Sequence, residues 1–159
     1  MKYLWIIRHG KSADGRVDHE RTLNARGLSD GPLMQAWYAK QTHQASWIWS
    51  SSAVRARTTA AFVADGFSGQ IIEEPDLYLS APETLLSFLA STPDDEGCAA
   101  VVAHNPGLTY LVNLLSQNPV TDNLVTFGSV LFRSDIDSWQ DLRFGNCEMV
   151  TYAVPKNLP

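Results

Sequence analysis

The sequence predicts an α/β fold with three layers, in which helices cover both faces of a mostly parallel sheet that has an antiparallel edge. Short apolar, β-rich segments alternate with segments of helical spacing, and polar turns separate them. The last two strand candidates have no helix between them, so they are expected to pair antiparallel. With 159 residues, 45% of them hydrophobic, the chain is long enough for one domain spanning residues 1–159 and too short for two.

The strand candidates are short apolar runs bounded by polar residues. Two of them, residues 3–7 and 99–103, end at polar turns that contain histidine, and their continuous apolar character predicts strands buried on both faces. In chain order the candidates are residues 3–7, 47–49, 71–72, 99–103, 130–132 and 149–154.

Four segments have helical spacing: residues 28–39, 54–63, 84–89 and 108–115. Ser29 could cap the first turn of the first helix, and Gly66 lies just past the predicted end of the second. Before the third helix, Ser80 and Glu83 have the spacing of a capping box, with Pro82 tolerated in the first turn.

Charge and apolar patterning exclude several classes of function. The formal net charge is -5 and there is no Lys/Arg run, which argues against a nucleic-acid or anionic-membrane surface. No apolar run is long enough to cross a bilayer. The N-terminus lacks a signal-peptide pattern, so a cytoplasmic location is expected, and the absence of heptads predicts a monomer.

Cys98 and Cys147 are far apart and outside any CxxC spacing, so both are expected to be buried free thiols. His43, near the end of the first helix, is expected to interact with the C-terminal carbonyls of that helix.

Two histidines follow two different strand candidates directly. Arg8-His9 comes after residues 3–7, and His104 comes after residues 99–103. In a doubly wound sheet the carboxyl ends of neighbouring strands meet in one crevice. Arg55 lies near the start of the second helix, where its guanidinium and the backbone N–H groups could face the same crevice. The set predicts an anion pocket.

The ordered motifs resemble those of the histidine phosphatase superfamily, also called phosphoglycerate mutase-like. The nearer resemblance is to SixA-type phosphohistidine phosphatases, and it covers nearly the whole chain. The segments that carry it are Arg8-His9-Gly10, residues 18–23 followed by Gly27, residues 51–59 around Arg55, Leu77-Tyr78, His104-Asn105-Pro106-Gly107 and residues 155–158.

The resemblance implies a phosphatase that uses neither metal nor cofactor. In it, His9 is phosphorylated during turnover, and Arg8, Arg55 and His104 surround the phosphoryl oxygens. The resemblance further suggests Arg21, Gly10 and Asn105 as substrate-binding residues. The expected substrate is a phosphohistidine on a protein such as a phosphotransfer domain, in a signalling relay.

Two departures from the family pattern flank Arg55. Ser52 stands where the family usually has proline, and Thr58-Thr59 stands where it usually has Gln-Thr. Both predict altered local turn geometry without loss of the arginine.

The general acid is the open question. Asn105 occupies the place of an Asp in the acid phosphatases of the superfamily, and an amide cannot donate a proton as an acid does. Glu83 could approach the site. If it acts as an acid, the alternative function is a broad-specificity phosphomonoesterase for a small metabolite. A module that only binds phospholigands is the third hypothesis.

Asp14, Asp18, His19 and Glu20 also invite interpretation as a metal site. They lie in one loop without a recognised ligand spacing, which disfavours that interpretation.

Overall fold

The computed structural model describes residues 1–159 and contains one six-stranded mixed sheet. In chain order the strands are β1 (Lys2–Arg8), β2 (Trp47–Ser51), β3 (Gln70–Glu74), β4 (Cys98–Ala103), β5 (Ser129–Ser134) and β6 (Cys147–Ala153). Across the sheet their order is β3-β2-β4-β1-β5-β6. The first four in that order are parallel; β5 pairs antiparallel with β1, and β6 pairs antiparallel with β5. The predicted mostly parallel sheet with an antiparallel edge is confirmed.

Two helices pack on each face of the sheet, which makes three layers. The helices are α1 (Ala25–Tyr38), α2 (Val54–Phe67), α3 (Pro82–Ala90) and α4 (Gly107–Leu115). Along β1, Leu4 and Ile6 join the core under α3 and α4, while Trp5 and Ile7 join the core under α1 and α2. This alternation explains why β1 is apolar throughout. None of the helices is long and apolar enough to span a bilayer.

The first helix begins three residues before the predicted start, at Ala25, and Ser29 does not cap it. Its cap is Asn24, whose side-chain oxygen accepts a hydrogen bond from the Gly27 N–H at 2.9 Å. A Cβ atom on Gly27 would lie 2.3 Å from the Lys11 carbonyl oxygen. The glycine therefore lets the loop that follows β1 lie directly against the first turn of α1.

The predicted end of the second helix is also wrong, because Gly66 lies inside α2. Ser68 ends the helix instead, with a left-handed φ of 58°. A Cβ atom on Gly66 would lie 2.7 Å from the Gln35 carbonyl oxygen of α1. Gly66 thus permits close packing of two helices rather than ending one of them.

The predicted capping box at α3 does not form. Ala81 is the N-cap and offers no side-chain hydrogen bond, and the Ser80 hydroxyl donates to the Leu77 carbonyl at 3.3 Å instead. Pro82 does occupy the first turn, as predicted. Glu83 is exposed in that turn and is therefore free of the structural role that the sequence suggested.

The expectation for His43 is also wrong. Its ring stacks on Tyr3, with ring centroids 3.6 Å apart, and its backbone carbonyl accepts a hydrogen bond from Trp5 Nε1 at 2.8 Å. Cys98 and Cys147 are buried free thiols, as predicted. Burial raises the pKa of Cys98 to about 12 and that of Cys147 to about 11, so neither is a reactive thiolate at neutral pH.

Candidate active site

The two histidines predicted to converge are neighbours because of the register between β1 and β4. These strands are parallel, and Arg8 pairs with Ala103. His9 and His104 each follow one member of that pair, and their ring centroids lie 5.1 Å apart. Both side chains are nearly inaccessible, with 7% and 3% of the residue exposed.

The backbone around His9 fixes which ring nitrogen can act as a nucleophile. His9 Nδ1 lies 2.7 Å from the Gly10 carbonyl oxygen, which can only accept a hydrogen bond. Nδ1 therefore carries the proton in the neutral ring, and Nε2 keeps its lone pair. The tautomer needed for attack through Nε2 is thus set by the chain itself.

The surroundings of His9 also keep its ring neutral. Burial lowers its pKa to about 4; the bond to Gly10 opposes this, and the positive charges of Arg8, Arg55 and Arg21 add to it. At neutral pH the imidazole is therefore unprotonated at Nε2 and competent as a nucleophile.

Gly10 links the nucleophile to the second helix. Its N–H donates to Thr59 Oγ1 at 2.9 Å, and that hydroxyl donates to the Arg55 carbonyl at 2.8 Å. A Cβ atom at Gly10 would lie 2.5 Å from the Phe127 ring. Both backbone polar groups of Gly10 therefore have partners within the chain, and these bonds connect it to the His9 ring and, through Thr59, to the Arg55 backbone.

His104 has one ring nitrogen bound and one free. Its Nε2 lies 2.7 Å from Ser51 Oγ, which also accepts a hydrogen bond from the Ala53 N–H at 3.2 Å. The Ser51 hydroxyl can donate its proton to Nε2, which leaves the proton of the neutral ring on Nδ1. Nδ1 is buried and has no partner within the chain. Burial lowers the pKa of His104 to about 3, so the neutral form is expected.

Arg8 presents a second donor without a partner. Its Nη1 donates to the Leu124 carbonyl at 3.1 Å, while its Nε is buried and makes no hydrogen bond. Buried N–H groups without acceptors are rare and costly. A phosphoryl oxygen beside Arg8 Nε and His104 Nδ1 would supply acceptors for both.

Arg55 is held by both the backbone and the side chain of Asp18. Its Nη1 donates to the Asp18 carbonyl oxygen at 2.7 Å, and its Nη2 donates to Asp18 Oδ2 at 3.0 Å. Only 4% of Arg55 is exposed. Two of its five N–H donors are used in this way, so the remaining donors can serve an anion.

Asp18 also joins Arg21 and Tyr78 to this network. Arg21 Nη1 donates to Asp18 Oδ1 at 3.1 Å, and the Tyr78 hydroxyl donates to Asp18 Oδ2. The bond from Tyr78, followed by those from Arg55 and Arg21, holds the pKa of Asp18 well below its usual range. Asp18 is therefore a carboxylate at neutral pH and not a proton donor.

The segment that contains Asp18 is attached to the site at further points. His19 Nε2 lies 2.8 Å from Ser52 Oγ, so the serine that replaces the usual proline has a partner in this segment. Arg21 Nε donates to the Ala13 carbonyl and Arg21 Nη2 to Ser12 Oγ. In residues 1–159, no three His, Cys, Asp or Glu side chains group closely enough to hold a metal ion.

Asn105 uses its amide within the fold rather than toward the pocket. Its Nδ2 donates to the Leu124 carbonyl at 2.8 Å and to Asn123 Oδ1 at 3.1 Å. Its Oδ1 accepts from the N–H and the hydroxyl of Thr109 at 3.1 and 2.8 Å. The Leu124 carbonyl also accepts from Arg8, so Asn105 holds the same carbonyl that holds Arg8 and can position Arg8 through it.

Replacing Asn105 with Asp is therefore expected to damage the site instead of adding a general acid. The new carboxylate would face the Leu124 carbonyl, and two acceptors repel each other. We expect kcat/KM for p-nitrophenyl phosphate to fall about tenfold, near the lower end of the loss of about 1–3 kcal/mol that one unsatisfied polar group causes, because Asn105 is only half-buried. Asn123→Ala, which removes only the exposed partner, serves as the control. A gain in phosphate-ester hydrolysis by Asn105→Asp would contradict this role.

Three members of this site were not identified as site residues from the sequence alone: Ser51, Thr59 and Tyr78. Each acts through a hydrogen bond or ring contact to a residue that is distant in the chain. The only available signal was their position inside segments that resemble the family motifs. Asp18 was seen in the sequence, but as part of a disfavoured metal loop rather than as the partner of two arginines.

The sequence and the fold are similar to those of known proteins. Residues 4–78 match the family model described as the histidine phosphatase superfamily (branch 1). An uncharacterized protein of Mycobacterium tuberculosis, Rv1276c, is 29% identical over 161 residues, which cover 94% of this chain and 100% of that protein.

Solved structures share the fold over nearly the whole chain. A protein assigned as phosphohistidine phosphatase SixA from Nakamurella multipartitia superposes with a TM-score of 0.86, at 21% identity, over 97% of this chain and 96% of that one. The protein histidine phosphatase SixA complexed with tungstate gives a TM-score of 0.81, at 23% identity, over 97% of each chain. The predicted phosphoglycerate mutase-like architecture is confirmed.

Proposed function

We propose that this chain is a histidine phosphatase, since residues 4–78 match the model of that superfamily, and that it hydrolyses phosphohistidine on a protein through a phosphorylated His9 intermediate. The observation that carries the proposal is the fixed tautomer of His9. Its Nδ1 is bound to the Gly10 carbonyl, and its neutral Nε2 lies beside positive charge and unpaired donors. The Arg8, Arg55 and His104 side chains are the proposed phosphoryl ligands.

The first chemical step transfers the phosphoryl group from one imidazole to another. His9 Nε2 forms a bond to phosphorus while the P–N bond of the substrate breaks, and the electron pair of that bond stays on the departing nitrogen. If the substrate ring carries a proton on its other nitrogen, it leaves as neutral imidazole. His9, which keeps its Nδ1 proton, becomes a phosphoimidazolium.

The second step is attack by water on the phosphorylated His9. The water oxygen bonds to phosphorus and the Nε2–P bond breaks, with its electron pair returning to Nε2. Both water protons stay with the product, which forms as dihydrogen phosphate. His9 returns to the neutral tautomer with its proton on Nδ1. Arg8, Arg55 and His104 would stabilise the phosphoryl oxygens throughout, which is where most of the catalysis of phosphoryl transfer arises.

The lack of an obvious general acid favours phosphohistidine over a phosphate ester. Asp18 is ionised and bound to three donors, and Asn105 is used within the fold. Departure of an alkoxide needs a proton in the transition state, whereas a protonated phosphoimidazole does not. Solved SixA structures share the fold of this chain, which supports the same substrate class.

The alternative is a broad phosphomonoesterase for a small metabolite, with Glu83 as its acid. Glu83 is exposed and makes neither a hydrogen bond nor an ion pair, so it is free to approach a substrate. Unchanged ester turnover by Glu83→Gln would exclude that role. The cytoplasmic location, the signalling role, the independence from metal and the monomeric state stay predictions from the sequence.

The proposal predicts a strong preference for the P–N bond. We expect kcat/KM for a phosphohistidine-bearing phosphotransfer protein to exceed that for a phosphoserine peptide by at least about 100-fold. This is the smallest rate enhancement that a general acid usually contributes. Phosphate release in metal-free buffer measures both rates, with p-nitrophenyl phosphate as a substrate that needs no acid. Equal kcat/KM values for the phosphohistidine protein and the phosphoserine peptide would contradict the proposal. Turnover of the aryl ester alone would favour a metabolite phosphatase, and no turnover would favour a binding module.

A further inference from the structure

Two exposed apolar residues lie next to the side chains that border the pocket. Val17 precedes Asp18, and Leu79 follows Tyr78; 54% and 55% of these two apolar residues are exposed. The Tyr78 hydroxyl donates to the Asp18 carboxylate, so the two segments are joined at this point. We call Val17 and Leu79 the apolar rim.

The position of Leu79 follows from its two neighbours. The Tyr78 ring meets the His104 ring edge-on, with centroids 5.5 Å apart. On the other side of Leu79, the Ser80 carbonyl oxygen packs against Gly107. A Cβ atom on Gly107 would lie 2.2 Å from that oxygen. The segment 78–80 therefore runs directly alongside the turn that carries His104, and Leu79 lies at the border of the pocket.

Leu79 also has a backbone conformation that leucine disfavours. Its φ is +49°, in the left-handed region, where residues other than Gly, Asn and Asp are uncommon. Of the two other such residues, Phe127 is fully buried and Ser68 ends a helix. Leu79 has neither explanation, since its side chain is more than half exposed. Strained residues of this kind concentrate at functional surfaces.

The proposed phosphoryl-binding residues are far more buried than the two rim residues. His9, Arg55 and His104 are each less than 10% exposed, whereas the rim residues are exposed by more than half. A histidine side chain is short, so its phosphoryl group can reach His9 only if the surface of the carrier protein comes against the rim. A small phosphorylated metabolite has no such surface.

On the basis of the function proposed above, we propose that Val17 and Leu79 are a docking surface for the folded protein that carries the phosphohistidine. The two residues adjoin Asp18 and Tyr78, whose side chains are hydrogen-bonded beside His104 and Arg55, and their exposed apolar side chains can be buried against the surface of the carrier protein. Apolar contacts at the centre of an interface supply much of its affinity.

The test compares Leu79→Asn and Val17→Ser with wild type on two substrates that share the reacting bond. One is a phosphohistidine-bearing phosphotransfer protein, and the other is the free phosphohistidine amino acid. We expect KM for the protein to rise about tenfold or more in the double variant, with the rate on the free amino acid within about twofold of wild type. Leu33→Gln, at an apolar position in α1 that is also about half exposed, should change neither the KM for the protein nor the rate on the free amino acid.

Folding is checked separately by thermal unfolding. Asn tolerates the left-handed conformation, so the melting temperature of Leu79→Asn should not fall. If wild type hydrolyses both substrates and the double variant matches it, the docking surface is wrong while the proposed function stands. Equal losses on both substrates would mean that the rim shapes the pocket instead. If wild type hydrolyses neither, the proposed function itself fails.

Discussion

Replacing His9 with Asn is expected to reduce turnover by at least about 10³-fold on every substrate. The amide nitrogen of Asn is not nucleophilic, because its lone pair is delocalised into the carbonyl group. The Asn amide N–H can still donate to the Gly10 carbonyl, where His9 Nδ1 lies 2.7 Å away in wild type. The pocket is therefore expected to keep its shape, and the loss can be assigned to the nucleophile.

The phosphorylated enzyme gives a second measurement of the same step. Alkaline quenching preserves phosphohistidine, and intact mass would then show one added phosphoryl group on wild type and none on His9→Asn. His43→Asn is the matched control, because His43 stacks on Tyr3 and the same substitution there should leave turnover unchanged. Phosphorylation that persists in His9→Asn, or that maps to His104, would contradict the assignment of the nucleophile.

The convergence of the two histidines could be predicted from the sequence because it needs only the order and direction of strands. His9 and His104 follow two apolar segments, and parallel neighbours in a doubly wound sheet end at the same edge. The antiparallel edge was predictable for the same kind of reason. These inferences depend on patterns that extend over whole segments, and such patterns survive uncertainty about single residues.

The helix ends were harder to predict because several residues near each end are chemically suited to the role. Ser29 was predicted to cap α1, but the cap is Asn24, whose side chain binds the N–H of Gly27, the residue that packs against the Lys11 carbonyl. Gly66 looked like a helix end, yet close contact with α1 requires a glycine there. In both cases a tertiary contact between segments distant in the chain determined the outcome.

The roles of individual polar residues depend on partners that sequence spacing does not reveal. Asn105 follows a site histidine and was expected to bind substrate, but its amide is used by residues 109, 123 and 124. Asp18 lies among other acidic residues of a loop, and its link to Arg55 spans 37 positions of the chain. Only the folded chain brings these groups within hydrogen-bond distance.

The second large effect is expected from a substitution at Asp18, whose charge influences phosphate binding in two opposite ways. As an anion near the pocket it repels phosphate, and through its bonds it holds Arg55 and Arg21, which attract phosphate. The side chain is 43% exposed, so its direct repulsion is screened to about 1 kcal/mol or less. Charge-assisted hydrogen bonds contribute about 1.5–3 kcal/mol each. Positioning of the arginines should therefore outweigh repulsion.

Asp18→Asn is accordingly expected to weaken the site about tenfold, although it removes a negative charge from an anion pocket. The loss should appear mainly as a higher KM, with inorganic phosphate becoming a weaker inhibitor by a similar factor, because the phosphoryl ligands are less well held. Asp14→Asn makes the same charge change at an exposed residue of the same loop that has no hydrogen-bond partner, and it should leave both constants within about twofold of wild type. Tighter binding of phosphate by Asp18→Asn would show instead that the carboxylate competes with substrate for Arg55, and the network around Asp18 would then restrain the pocket rather than assemble it.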